Sequence, residues 1–326
     1  MSRQSRIPAL KMTRMIGISC WFAVFMFAAS APRATRVDPA RESSADVTPA
    51  IHIEDVDRFY KLYEATGGHP TAEQLQQEYL DAGTEGLHHL AEARGVTGAR
   101  IADSMAKNPE LYSDTRRCMA VLPRARERLL AAFRKLRDLY PEARFPPVTI
   151  AVGRGKPVAI GSPVYGVQVG LEALCGVKYF DINMEDRFVH VIAHEYIHVQ
   201  QVRAEVDDEH PTVLEGSLVE GAADFVGEMI SGGVGNPSVG ASTAGREKEL
   251  ESAFVEDEDK TELTKWLYNG TMEKSGDAGY WVGYRIVKSY YQHAADQRQA
   301  IREILQMSDP HAFLAKSGWY PGITLQ

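Results

Sequence analysis

The chain has 326 residues, of which 44% are hydrophobic and 25% charged, with a formal net charge of −8. That is an ordinary globular composition, long enough for one large domain or two lobes, and it excludes a chain disordered throughout. The acidic balance also argues against nucleic acid or an anionic membrane surface as a partner.

The first thirty residues run from basic to apolar to small. Arg3, Arg6, Lys11 and Arg14 precede the apolar run "MIGISCWFAVFMFAAS", and "AASA" closes it. This order predicts a secretory signal peptide over residues 1–31, because the apolar stretch is short of the ~20 residues that span a bilayer. Pro32 makes a cut directly before it awkward, so an uncleaved N-terminal anchor is the alternative. Cys20 does not read as a lipidation site, since the apolar run continues through Trp21 and Phe22. Losing the leader removes its four basic residues and no acidic one, taking the net charge from −8 to −12. The expected location is the periplasm or the cell exterior, with contact to a membrane only through an uncleaved leader. Cys118 and Cys175 then remain, either as a disulfide worth ~2–4 kcal/mol or as two buried thiols.

Residues 32–50 lack apolar periodicity and read as a flexible linker. From residue 51 to 145 the patterns predict an all-helical N-terminal lobe. "IEDVDRFYKLYEAT" has helical spacing and stops at Gly67 and Gly68. Thr71 followed by Gln74 forms a capping-box start, and Pro123 fits the first turn of the helix "LPRARERLLAAFRKLRDLY".

Residues 146–326 read as the core. Val148 to Val152 predicts a strand, and "VYGVQVGLEAL" a second strand that could turn helical from Leu171. "DRFVHVIAHEYIHVQQVRAE", "TVLEGSLVEGAADFVGEMI" and "YWVGYRIVKSYYQHAA" predict helices. The glycine-rich "SGGVGNPSVGASTAGREKE" reads as flexible, and "VEDEDKTE" as a solvated acidic face or loop. The expected fold class is therefore mostly α with a small β-sheet.

The chemistry concentrates in "HEYIH". Residues four apart share a helix face, so His194 and His198 can direct both imidazoles at one ion, while Glu195 is displaced round the helix towards a metal-bound water. Catalytic zinc needs a third protein ligand and an open position. Positions 201 and 204 hold Gln201 and Ala204, which excludes the glycine and histidine of the metzincin extension. "LVEGAADFV" supplies a carboxylate on a downstream helix, Glu220, with Asp224 one turn later. Glu215 or Asp224 is the alternative third ligand. His190, a turn before His194, reads as a spare helix histidine rather than a contact to substrate or to a group behind the ligands.

HEYIH followed by Glu220-Gly-Ala-Ala-Asp224 resembles the glutamate-zincin superfamily typified by thermolysin. More closely, "HEYIHVQQ", "VEGAADFV" and "GYWVGYRIV", after a helical half ending "LYPEARFPPVTIAVG", resemble the bacterial family of predicted zinc-dependent proteases called the domain of unknown function 2268. The resemblance implies a zincin-like core holding one Zn²⁺ on His194, His198 and Glu220. It implies Glu195 as general base, Asp224 orienting a ligand histidine, and Tyr280 or Tyr284 as donor to the oxyanion. For the two tyrosines, an aromatic helix face packed in the core is the competing reading. The segment from Tyr165 to Val169 is a candidate edge for pairing an extended peptide.

The expected activity is peptide hydrolysis on a peptide or protein substrate. The rivals are a non-catalytic zinc-binding scaffold and a zinc hydrolase of a non-peptide amide.

Overall fold

A computed structural model describes residues 49–326 apart from 157, 179, 207 and 272–275. The leader, and the linker up to residue 48, lie outside the described residues. In chain order the elements are β1 (Ile51–His52), α1 (Glu54–Ala65), α2 (Ala72–Gln74, continuing as a π-helical turn over Leu75–Leu80), α3 (Glu85–Arg94), α4 (Gly98–Lys107) and α5 (Pro109–Thr115). A 3₁₀ turn over Arg116–Val121 leads into α6 (Leu122–Leu139). Then come β2 (Val148–Ala151), β3 (Ala159–Ser162), β4 (Gly166–Gly170), α7 (Leu171–Gly176), α8 (Met184–His198) and α9 (Arg203–Val206). The chain closes with α10 (Val213–Ser231), α11 (Pro237–Thr243), α12 (Glu247–Val255), α13 (Ala278–His293), α14 (Gln297–Leu305) and α15 (Pro310–Lys316). The fold is mostly α with a small mixed sheet, as the sequence patterns require, and the described residues fall in one compact unit. Among them no helix is long and apolar enough to cross a membrane.

Local signals place many of these boundaries. Thr71 and Gln74 form the reciprocal capping box at the start of α2, and Pro123 occupies the first turn of α6. The sheet departs from expectation in two ways. Its order is β1-β2-β4-β3, so the segment expected to be all-helical opens on a strand, with Ile51 paired to Val148 in parallel. A two-residue strand carries no alternation to detect. The predicted second strand, β4, is central, and its outer neighbour β3 is the edge. Val167 to Val169 of the expected edge are therefore paired on both sides, and the edge on that side of the sheet is β3.

β3 lies directly on α8. A Cβ on Gly161 would come within 2.1 Å of the Glu195 carbonyl oxygen, so only glycine lets the edge strand pass this close to the HEYIH turn. Arg128 of α6 grips the acidic start of α8, 3.0 Å from Glu185 and 2.6 Å from Asp186. The predicted helix through Glu205 ends instead at His198. The Gln200 side chain pairs with both backbone groups of Arg144, and the Arg144 guanidinium bonds the Val199 carbonyl, which draws the chain off the helix axis.

α10 packs on α8 and α13. Gly221 and Gly283 face each other so closely that a Cβ on Gly221 would sit 2.1 Å from the Gly283 backbone. The acidic turn before α13 is not simply solvated. Asp257 is buried, bonded by Lys260, Lys265 and the Trp266 indole, and the Lys260 and Glu258 carbonyls accept the first N–H groups of α10. The glycine-rich segment expected to be flexible contains α11.

Cys118 and Cys175 are joined, with Cα atoms 6.4 Å apart and a sequence separation of 57, tying the 3₁₀ turn to α7. Closing a loop of that length removes chain entropy from the unfolded state worth about 4 kcal/mol. Cys118→Ser with Cys175→Ser should lower urea-unfolding stability by about that amount; an unchanged midpoint would show that the bridge constrains little.

Candidate metal centre

α8 presents His194 and His198 one turn apart, and α10 brings Glu220 and Asp224 to face them. The close approach has a cause: a Cβ on Gly227 of α10 would meet the His194 backbone at 3.3 Å. His194 Nε2 and His198 Nε2 are 3.1 Å apart, and each is 3.2 Å from Glu220 Oε2. Among the described residues, His194, His198 and Glu220 are the group whose donor atoms could hold one metal ion. All three are buried.

The opposite side of each imidazole is also held. His194 Nδ1 lies 2.7 Å from Asp224 Oδ1, and His198 Nδ1 lies 2.7 Å from Gln201 Oε1. Gln201 is itself oriented, because its Nε2 donates to the Val219 carbonyl at 2.8 Å. With both Nδ1 atoms donating, both Nε2 atoms carry lone pairs that point at each other and at a carboxylate oxygen. Three acceptors converging in a buried space repel one another unless a positive charge sits among them.

The electrostatics express the same demand. Burial opposes the charged imidazole of His194, but the Asp224 and Glu220 carboxylates outweigh it and raise its pKa well above the usual range. Burial likewise opposes charging His198, and Glu220 overrides it. For Glu220, burial disfavours the carboxylate, yet the two imidazoles hold it well below its ordinary value. A zinc ion satisfies all three without protons. Tetrahedral donors at ~2.0–2.1 Å from zinc lie roughly 3.3 Å apart, close to the spacing found here. The donor set therefore fits Zn²⁺.

Glu195 is part-buried and lines a cavity of about 200 Å³ with His194, Asp224, Asp277, Tyr280 and, from the edge-strand side, Val158 and Ala159. Burial pushes its carboxyl up, against the pull of the two imidazoles. This cavity is smaller than one of about 680 Å³ beside the disulfide; the convergent donors, not size, mark the site.

Residues 177–312 match the family described as Predicted Zn-dependent protease (DUF2268). The match contains HEYIH, Glu220, Asp224 and both predicted tyrosines; β3 and Cys118 lie before it. No curated protein and no solved structure matches the chain.

The remaining candidates divide. Tyr280 stacks on His194, centroids 6.0 Å apart and planes 17° from parallel. Tyr284 gives its hydroxyl to Glu228, one turn beyond Asp224, and packs on Phe225. Glu215, the alternative ligand, is occupied as the reciprocal partner of Thr212 in the capping box of α10. His190 is buried against Gly233, outside the donor group.

Two residues of the site carried no signal in the sequence reading. Gln201 entered only as the absence of a glycine, and its partnership depends on α8 ending at His198. Tyr268 lies in a loop with no periodic pattern, and its hydroxyl donates to Glu220 Oε1 at 3.1 Å. The Glu220 charge keeps that phenol protonated by pushing its pKa up.

Proposed function

We propose that this protein is a single-zinc peptidase of the glutamate-zincin type, acting on a peptide or protein substrate. The observation that carries the reading is the convergence of His194 Nε2, His198 Nε2 and Glu220 Oε2, all within 3.1–3.2 Å, beside the Glu195 carboxylate on the cavity wall. Zinc in that position would acidify a water and polarise the scissile carbonyl. Glu195 then takes the proton from the attacking water and delivers it to the leaving amine, a task suited to a carboxyl raised by burial. Asp224 and Gln201 hold the imidazole tautomers, so that neither ring turns as charge develops. Tyr280, on the cavity wall, is placed to meet substrate.

The edge strand supports a peptide rather than a small amide as substrate. β3 offers its outer backbone next to Glu195, and an extended chain pairing there would lie across the donor set. A scaffold role would call for a closed site of four protein ligands, whereas the described residues supply three. Export fits this reading, since a disulfide persists in an oxidising compartment.

The test is cleavage of a diverse quenched-peptide library by the leaderless protein, with zinc removed by chelation and then restored. Cleavage that disappears and returns with zinc supports the proposal. Zinc-bound protein that cleaves nothing in the library counts against it.

A further inference from the structure

The two oxygens of Glu220 have different partners. Oε2 faces both imidazoles at 3.2 Å, and Oε1 accepts the hydroxyl of Tyr268 at 3.1 Å. Tyr268 and Asp277 are the two non-glycine residues, among those described, whose backbone is left-handed, with φ of 57° and 65°. For a tyrosine that conformation is strained and persists only where its surroundings enforce it.

The enforcement is visible. Asn269 N donates to Asp277 Oδ1 at 3.0 Å while Asp277 N donates to Asn269 Oδ1 at 2.7 Å, a reciprocal clasp directly after Tyr268. The Asn269 amide also reaches back to the Thr264 carbonyl at 2.8 Å, fixing the chain on the other side of Tyr268. The tyrosine ring meets Tyr280 edge-on, with centroids 6.3 Å apart.

We propose that Tyr268 is a positioning residue for the metal: its hydroxyl fixes Oε1 of Glu220 and thereby presents Oε2 beside the two imidazole nitrogens, with the Asn269–Asp277 clasp holding the phenol in place. The inference rests on the zinc reading above. Each metal ligand then has its own orienting partner: Asp224 for His194, Gln201 for His198 and Tyr268 for Glu220. Without the phenol both Glu220 oxygens are free to turn towards the ion, and the carboxylate must be ordered at the cost of binding.

The test is the zinc dissociation constant of the leaderless protein, Tyr268→Phe and Asn269→Ala, measured by chelator competition, with the visible spectrum of each cobalt-substituted form. Tyr268→Phe should bind zinc about 10–100-fold more weakly, with an altered cobalt spectrum. Asn269→Ala should weaken binding less, and add little in the Tyr268→Phe background. The metal-free thermal midpoint of each variant separates loss of the contact from loss of the fold. Zinc affinity of Tyr268→Phe within about threefold of the parent would overturn the inference. So would unchanged affinity with a fall in kcat at saturating zinc, which would put the phenol on the reacting carbonyl instead. A parent that binds no zinc would sink the underlying reading, and this inference with it.

Discussion

Glu195→Gln should cleave peptides ~10²–10⁴-fold more slowly than the parent while retaining its zinc. Glutamine keeps the size and the place of the side chain beside His194 but cannot accept a proton from water. The three proposed ligands, His194, His198 and Glu220, are untouched by the change, as are Asp224 and Gln201 behind them. The loss should fall on kcat, with KM little altered, because Glu195 is assigned to the chemical step and not to holding the peptide. Equal turnover by parent and variant would remove Glu195 from the mechanism.

Glu220→Gln should lose zinc outright at concentrations that saturate the parent. The effect should exceed the roughly 10–100-fold expected for a partner outside the donor set. An amide brings no negative charge, and it leaves His194 and His198 facing a neutral group. The pH dependence of the parent follows from the same charges. Without metal, His194 and His198 are held above the usual histidine range by Asp224 and Glu220, so zinc must displace their protons. Affinity therefore weakens as pH falls through that raised range, by up to roughly 100-fold per pH unit if two protons are displaced. Isothermal titration in buffers of different ionisation heat would count the protons released. An affinity flat across that range would show that the imidazoles carry none.

The helix rule made most of this centre legible. His194 and His198 at a spacing of four must share a face, and Glu220 and Asp224 repeat that spacing on the next long helix. What stayed hidden depends on where the chain turns. Gln201 reaches His198 because Gln200 and Arg144 end α8 at the second histidine, and no periodicity marks that stop. Tyr268 reaches Glu220 through a left-handed backbone held by residues on either side of a loop. The edge strand was missed for a related reason: "AIGS" is too short to alternate, and its position is set by the Gly161 contact with α8. The sheet's other edge, at Ile51, joins by pairing with a strand nearly a hundred residues on.

X-ray absorption at the zinc edge, on the purified leaderless protein, tests the central claim most directly. The account predicts about one zinc per chain, scattering from two imidazoles, and light oxygen or nitrogen neighbours that include an exchangeable position. Protein that holds no zinc, or holds it in a closed site of four protein ligands, would contradict it.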